Sequence, residues 1–191
     1  AAADRLVAAN DPVLVVGDHV PRHDAYSPVD PVAAAVELAE AAGMRVHGEI
    51  LTSEASFPTD HEQWVSHIPP SEEFAQALLN TDTIVFAGAS TNTTLWDHDA
   101  PLVPDDATCV HLAADPWEAG KNHPGTGVTG DLGSLMTDLA ERVRDRLDPE
   151  EREKRLDGVA AMKTFAERKV ADLAESDVED PRPSKADLVD A

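Results

Sequence analysis

Short apolar runs alternate along the chain with longer segments in which apolar residues recur every three or four positions. The apolar runs predict strands at 13–16, 83–87 and 108–112, and the short segments 45–48 and 127–130 are interpreted as two further strands. The longer segments predict helices up to residue 10, at 30–43, from 71 onward and at 131–147. Strands that alternate with helices indicate βαβ units with right-handed crossovers. The predicted fold class is therefore α/β, an open doubly wound parallel sheet of the Rossmann-like kind, with about five to six strands flanked by helices.

Capping residues mark where these helices begin and end. Asp30 is placed as an N-cap, Pro31 occupies the first turn, and Gly43 fits the left-handed position after the last turn. Asp131 or Ser134 caps the helix that follows the last predicted strand. These signals agree with the hydrophobic periodicity, so both indicate the same helices.

The connection 57–70 is long, rich in Pro, Ser and Thr, and contains no predicted strand. Its apolar residues Phe57, Trp64 and Ile68 predict that it packs against the rest of the domain. His61 lies in the middle of it and can move a proton near neutral pH. One interpretation makes His61 a functional group; the other makes it an ordinary surface histidine of an acidic protein.

The charge of the chain narrows the choice of partners. Asp and Glu total 37 against 15 Lys and Arg, which gives a formal net charge of −22. Such a chain repels phosphate backbones and anionic lipid, so we expect neither nucleic-acid nor membrane partners. The acidic residues are spread along the whole sequence, a pattern typical of an extreme halophile, where salt screens the self-repulsion.

The cysteine content and the lengths of the apolar runs indicate the cellular compartment in which we expect the protein. Cys109 is the sole cysteine, so an intramolecular disulfide is excluded and a buried inert thiol is predicted. No apolar run approaches the roughly 20 residues of a membrane span, and no basic-then-apolar leader is present. The expected location is cytoplasmic. The chain starts without Met inside a predicted helix, so we expect it to be a piece of a longer polypeptide.

Residues at the ends of the predicted strands are the candidate ligand-binding groups. In open α/β sheets, ligands bind outside the carboxyl ends of the strands. Gly17 and Gly88 would let a phosphate approach the backbone, and Asp115 could hold a ribose hydroxyl. The sequence has no G-x-G-x-x-G after the first strand and no phosphate-binding loop motif, so tight turns at the strand ends are the preferred explanation of both glycines.

Metal ligation is not predicted. His19 and His23 are four residues apart, but the intervening Pro21 opposes a helical ligand pair. His98 with its flanking aspartates could hold a cation, although an exposed acidic turn accounts for them as well.

Several segments, taken in their order and spacing, resemble the central domain of thiamine diphosphate-dependent enzymes, a superfamily that includes acetolactate synthase, pyruvate oxidase and benzoylformate decarboxylase. In sequence letters they are PVLVVGDHV, AVELAEAAGMRVHGE, FPTDHEQW with HIPP, DTIVFAGAS, HLAADPWEAGKN and VTGD. The resemblance implies a central domain at residues 1–147. It also implies a long helix and linker at 148–191 that leads toward an absent C-terminal thiamine diphosphate-binding domain.

The resemblance also implies what this chain lacks. Family members have three similar-sized α/β domains, and the first and third hold thiamine diphosphate with Mg²⁺ across a dimer interface. The family's catalytic glutamate and its Gly-Asp-Gly…Asn magnesium motif are both missing here. The implied role is scaffolding and shaping the active site of a 2-oxoacid decarboxylase or carboligase, with no activity of this segment alone. The implied partners are flanking domains of the same chain, a small 2-oxoacid substrate, and further copies in a dimer or tetramer.

Within the superfamily, the FPTDH segment most resembles the benzoylformate decarboxylase branch. That likeness implies that His61 transfers a proton in the full-length enzyme. The neighbouring Asp60 and Glu62 depart from the pattern of that branch.

Two alternatives remain open at this stage. One is an FAD- or ADP-binding module of the acetolactate synthase type, in which Gly17, Gly88 and Asp115 would contact the cofactor. Flavin-binding relatives usually carry I-D-I-D-P and Arg-Phe-Asp motifs, whereas this chain has LAADP and Ser90-Thr91-Asn92 at those places. The other alternative is a purely structural assembly domain.

Overall fold

In this computed structural model, the structure describes residues 1–90, 98–119 and 124–176, with side chains to residue 172. The strands are β1 (Pro12–Val16), β2 (Arg45–Gly48), β3 (Trp64–His67), β4 (Thr83–Ala87), β5 (Thr108–Ala113) and β6 (Thr126–Thr129). The helices are α1 (Ala2–Ala8), α2 (His19–Arg22), α3 (Pro31–Ala42), α4 (Glu72–Leu78), α5 (Leu132–Arg144) and α6 (Pro149–Ser176). The alternation predicted from the sequence is confirmed.

All strand pairings in the sheet are parallel, and the strand order is β3-β2-β1-β4-β5-β6. The order reverses between β1 and β4, which is the topological switch point of a doubly wound sheet. We call the edge where the strands end the carboxyl edge, and the opposite edge the amino edge. The predicted fold class is confirmed.

Helices α1, α3 and α5 cover one face of the sheet. The core on this face is built from Leu6, Leu14, Val16, Leu38, Val110 and Met136, among others. Asp30 accepts hydrogen bonds from the N–H groups of Val32 and Ala33, and Gly43 adopts φ 63°, as expected for the two ends of α3. Asp131, and not Ser134, is the N-cap of α5.

Helix α4 and the segment 98–107 cover the other face. The core there includes Val13, Val15, Leu79, Ile84, Phe86, Leu102 and Val103. Cys109 lies in this core at 3% exposure, so the prediction of a buried thiol is confirmed. Burial also raises the pKa of that thiol.

The connection 57–70 differs from its prediction because it contains strand β3. This four-residue strand lies at the edge of the sheet and pairs with β2, with Val46 opposite Trp64 and Gly48 opposite His67. The predicted packing of the connection is confirmed, since Phe57, Trp64 and Ile68 are 3%, 7% and 4% exposed. The residues of β3, Trp64-Val65-Ser66-His67, do not alternate between apolar and polar, so the strand gave no clear periodic signal in the sequence.

Helix α6 docks on the amino edge through a buried arginine. The Arg155 guanidinium, 3% exposed, donates to the carbonyl oxygens of Val7, Ala9 and Ala42 at 3.2, 2.6 and 2.8 Å. It therefore satisfies carbonyls at the ends of both α1 and α3, which an isolated helix leaves without partners. The first half of α6 thus packs on the body that 1–147 forms; the domain boundary at 147 stays a prediction.

Among the described residues, no helix is both long and apolar enough to cross a membrane. Thr91, Asn92, Asp97 and the linker 177–191 lie outside the described residues.

Candidate functional site

The two candidate glycines meet at the switch point. Gly17 follows β1 and Gly88 follows β4; the Gly17 N–H donates to the carbonyl of Ala87 at 3.0 Å. A Cβ added at Gly17 would lie 2.5 Å from Cα of Ala89 and 2.6 Å from the carbonyl oxygen of Gly88. Position 17 requires glycine because the backbone segments that follow β1 and β4 are in direct contact there.

A glutamate side chain fills the crevice beside these glycines. Glu49 follows β2, and its Oε1 accepts the N–H of Asp18 at 2.9 Å while its Oε2 accepts the N–H of Ser90 at 2.8 Å. The same Oε1 lies 2.5 Å from the position a Cβ at Gly17 would take. In nucleotide-binding sheets, backbone N–H groups at this point receive a phosphate. Here the chain's own carboxylate takes that place.

Asp18 anchors the loop that follows β2. Its carboxylate accepts from the Ser53 N–H at 2.8 Å, the Ser53 hydroxyl at 2.7 Å, the Thr52 hydroxyl at 2.8 Å and the Glu54 N–H at 3.0 Å. Arg22 adds an ion pair at 3.1 Å. Partial burial raises the pKa of Asp18, but these hydrogen bonds outweigh it and lower that pKa to about 2.

Asp115 lies at the end of the neighbouring strand, β5, and is exposed. Its Oδ1 accepts the N–H of Trp117 at 2.9 Å, which closes a local turn. The three residues predicted to contact a nucleotide or flavin therefore all lie at the carboxyl edge. Gly17 and Gly88 are in adjacent backbone segments, whereas Asp115 belongs to a separate turn.

His61 lies at the other end of the sheet, just before β3 begins. Its Nδ1 accepts the N–H of Gln63 at 3.2 Å, so the proton of the neutral ring is on Nε2, which is 3.4 Å from Oε1 of Glu40. The ring packs edge-on against Phe57, with centroids 5.3 Å apart. His61 is thus separated by the length of the strands from the carboxyl edge.

Gln63 and Arg45 are amino-edge residues that sequence reasoning missed. The Gln63 amide donates to the carbonyls of Ala39 and Met44 at 2.8 and 2.7 Å. Arg45, 1% exposed, donates to the carbonyls of Leu78 and Asn80 at the end of α4. No local motif marks either residue, because their partners are distant in sequence.

The buried His47 is not suited to proton transfer. It is fully buried on β2, and desolvation together with the charge of Arg45 lowers its pKa to about 3. It therefore stays neutral at physiological pH.

Metal-binding potential is low in the part of the chain that the structure describes. Those residues contain no group of three or more His, Cys, Asp or Glu side chains that could hold a metal ion. Nδ1 of His23 instead forms a hydrogen bond with the backbone carbonyl oxygen of His19 at 2.7 Å. Nδ1 of His98 lies 3.6 Å from Oε2 of Glu72.

These features define an α/β domain whose switch-point crevice is closed by its own side chains. Residues 1–139 match the family described as "Thiamine pyrophosphate enzyme, central domain". The chain belongs to this family, which confirms the resemblance seen in the sequence.

Similar proteins agree with this assignment. The chain is 29% identical over 147 residues to a benzoylformate decarboxylase of Pseudomonas aeruginosa, covering 76% of this chain and 27% of that protein. It is similar in structure to a thiamine diphosphate-dependent 4-hydroxybenzoylformate decarboxylase of Rhodococcus jostii RHA1 (27% identity, TM-score 0.64, 74% of this chain and 26% of that one). A structure described as a thiamin diphosphate-dependent enzyme from Mycobacterium smegmatis gives 30% identity and a TM-score of 0.65, covering 77% of this chain and 27% of that one.

The chain spans about a quarter of the length of these relatives. The family acts with thiamine diphosphate, but the residues present here do not fit a site for it. The sequence lacks the Gly-Asp-Gly motif expected of the cofactor domain, and the described residues offer no metal-ligand cluster for Mg²⁺. No step of chemistry is therefore assigned to this chain alone.

Proposed function

We propose that this chain is the scaffold domain of a longer thiamine diphosphate-dependent enzyme that decarboxylates or ligates a small 2-oxoacid, in the manner of a benzoylformate decarboxylase. The observation that carries the proposal is the family match over residues 1–139, in a domain whose own ligand crevice is closed by Glu49. Thiamine diphosphate with Mg²⁺ would be held by other domains of that polypeptide. This domain would fix their positions and wall the substrate site.

The contacts at the carboxyl edge suit a scaffold. Glu49 joins the segments that follow β1, β2 and β4, and Asp18 joins the segment after β1 to residues 52–54. Such side chain to backbone ties hold loops in one conformation and reduce the ordering entropy that docking a neighbour would cost. The setting we propose is a cytoplasmic enzyme of a halophile, working as a dimer or tetramer.

An FAD- or ADP-binding module is not supported by the comparisons. Glu49 also opposes it physically, because a phosphate entering the crevice would meet a carboxylate that already holds the two N–H groups.

The test of the proposal is made on the native polypeptide that contains this sequence. Its mass should be about three times that of this chain, since the matched region is 76–77% of this chain and 27% of the relatives. With thiamine diphosphate and Mg²⁺ in molar salt, the polypeptide should release carbon dioxide from benzoylformate or another 2-oxoacid. A native mass equal to that of this chain, or no turnover of any 2-oxoacid, would refute the proposal.

Proton transfer by His61 is a separate proposal within the same enzyme. Its contacts with Gln63 and Glu40 support a structural role in the turn before β3. His61→Gln in the native enzyme separates the two roles. A proton-transfer role predicts a large fall in kcat and the loss of one limb of the pH profile. A structural role predicts reduced thermal stability with the pH profile unchanged.

A further inference from the structure

His67 occupies the last position of β3, at the carboxyl edge of the sheet. It is paired with Gly48, and Gly48 is paired with Val16, so the three residues lie at the same level at the ends of β3, β2 and β1. Neighbouring strands are about 4.8 Å apart, which puts His67 roughly 10 Å from the end of β1. Ligands of open α/β sheets bind outside the carboxyl ends of the strands. A substrate site walled by this domain would therefore face His67, whereas His61 precedes the same strand at the amino edge.

The imidazole ring of His67 is held in place by its neighbours. It packs edge-on against the indole of Trp64, with ring centroids 5.0 Å apart, and Trp64 in turn stacks on Phe57. Gly48 makes room for the ring, because a Cβ added there would lie 2.3 Å from Cδ2 of His67 and 2.9 Å from its Nε2. Any larger residue at position 48 would displace the imidazole, so glycine at the end of β2 determines where the ring lies.

The ring of His67 is free to bind a further group. The residue is exposed, and neither ring nitrogen has a hydrogen-bond partner in the part of the chain that the structure describes. Cδ2 and Nε2 are the ring atoms nearest to Gly48, which leaves Nδ1 on the far side of the ring. In contrast, Nδ1 of His61 already accepts the N–H of Gln63. An ordered imidazole with a free nitrogen can donate to an oxygen of a ligand.

The packing of His67 also sets its charge. Desolvation lowers the pKa of the ring from its ordinary value of 6.5, so the imidazole is neutral at neutral pH. A neutral N–H can orient a substrate carboxylate without placing a full positive charge beside it. This difference matters in a decarboxylation, because the negative charge of the carboxylate is lost as carbon dioxide forms. A cation at that position would stabilise the substrate more than the transition state.

We propose that the ring of His67 donates a hydrogen bond to the carboxylate of the 2-oxoacid substrate in the full enzyme, and that Gly48 and Trp64 set the orientation of this donor. The inference rests on the proposed function and deepens it, since it names a substrate-binding residue that this domain supplies. His67 binds and orients the substrate, and the remaining chemistry belongs to other domains.

The experiment measures steady-state kinetics of the native polypeptide with benzoylformate, or with the 2-oxoacid that it turns over fastest. His67→Phe keeps a flat ring against Trp64 but has no nitrogen, and His67→Asn carries an amide N–H close to the position of Nδ1. Gly48→Ala leaves the imidazole intact but displaces it. Glu62→Gln, at an exposed position before β3, is the control. The melting temperature and the affinity for thiamine diphosphate are measured for each variant.

We expect His67→Phe to raise KM for the 2-oxoacid about tenfold or more, the loss that a hydrogen bond to a charged group predicts. Its kcat should not fall, because the lost contact is with a charge that disappears in the transition state. His67→Asn should keep KM within about threefold of the parent, and Gly48→Ala should raise it. Glu62→Gln should match the parent, and the affinity for thiamine diphosphate should be the same in all variants.

Two results would overturn the inference. The first is an unchanged KM in His67→Phe or, if that variant does not fold, in Gly48→Ala. The second is an equal rise of KM in His67→Phe and His67→Asn together with a lower melting temperature in both, because the ring would then serve only to pack the edge of the sheet.

The proposed function and this inference fail in different ways. A native polypeptide that turns over no 2-oxoacid refutes the proposed function before any variant is compared. An active native polypeptide whose His67→Phe variant has the same KM retains the proposed function and loses the role of His67.

Discussion

Oε2 of Glu49 accepts a hydrogen bond from the backbone N–H of Ser90 at 2.8 Å, across the switch point of the sheet. The same carboxylate also holds the N–H of Asp18, so one side chain bridges the ends of β1 and β4. In this fold the switch point is the usual ligand crevice. The Glu49–Ser90 contact therefore distinguishes this domain, which we propose is a scaffold, from a nucleotide-binding domain of the same fold.

Replacing Glu49 tests whether this bridge stabilises the fold. We expect Glu49→Ala to lower the free energy of unfolding by about 2 kcal/mol, because two backbone N–H groups lose a charged acceptor. Glu49→Gln keeps one acceptor oxygen and should lose less. Guanidinium unfolding midpoints measure both.

The matched control for Glu49 is Glu37→Ala, which removes an exposed carboxylate from α3 and should change stability little. Equal midpoints for Glu49→Ala and Glu37→Ala would show that the bridge is not stabilising. A rise in the melting temperature of the unsubstituted chain with FAD or ADP would show that the crevice opens to a nucleotide.

Asp18 predicts a specific dependence of stability on pH. Its pKa is about 2 in the folded chain against an ordinary value of 3.8. A lowered folded pKa stabilises the fold above the unfolded pKa, and that stabilisation is lost as pH falls from about 4 toward 2. The difference corresponds to about 2 kcal/mol.

Asp18→Asn should therefore be less stable at pH 7 and should lose less stability than the unsubstituted chain between pH 5 and pH 2. Urea unfolding at a series of pH values measures this slope. Asp24→Asn, at an exposed position in a nearby loop, is the control and should keep the original slope. A slope unchanged by Asp18→Asn would contradict the assignment of the loop anchor to this carboxylate.

Strands and helix ends were predictable from the sequence because their signals are local. The bounds of β4 follow from an apolar run, and the ends of α3 follow from Asp30 and Gly43. Strand β3 was missed because it is short, lies at the sheet edge and contains polar Ser66 and His67. A four-residue edge strand gives little periodicity to detect.

The candidate site was less predictable because it depends on tertiary contacts. Glu49 is 31 residues from Asp18 and 41 from Ser90, and no motif links them. Gly17 was correctly placed at a strand end. The reason that this position requires glycine, the close approach of the backbone at Gly88 and Ala89, is visible only in the folded structure, where β4 lies beside β1. Arg155 reaches carbonyls more than 100 residues away, which sequence spacing cannot reveal.

Alanine substitutions at Gly17 and Gly158 distinguish two effects on stability, the steric clash of an added Cβ and the reduced backbone entropy of the unfolded chain. Gly17→Ala should destabilise the chain by about 2 kcal/mol or more, because its Cβ meets backbone atoms that cannot move aside. Gly158 lies inside α6 with nothing within 4 Å of its added Cβ. Gly158→Ala should therefore stabilise by about 0.5–1 kcal/mol, as expected for alanine in an exposed helix interior. Thermal melts of the pair measure both effects, and equal shifts of the same sign would contradict the close contact at Gly17.

The hydrogen bonds of Arg155 to carbonyls at the ends of α1 and α3 predict that α6 folds as one unit with the rest of the domain. We expect Arg155→Ala to lower the free energy of unfolding by about 3 kcal/mol, because three carbonyls at the ends of α1 and α3 lose their donor. Arg168→Ala, which removes an exposed arginine from the same helix, should be nearly neutral.

Amide hydrogen exchange adds a second measurement for Arg155. The amides of α6 from 149 to 165 should lose protection in Arg155→Ala while those of β1 and β4 keep theirs. Exchange in α6 that is already fast in the unsubstituted chain would show that the helix is not docked.

The most direct test of the scaffold role is an isothermal titration with thiamine diphosphate and Mg²⁺, made on this chain and on the native polypeptide in the same molar salt. The predicted result is saturable binding to the native polypeptide and only heat of dilution with this chain, because the described residues offer no metal-ligand cluster. Binding of thiamine diphosphate to this chain alone, or none to the native polypeptide, would contradict it.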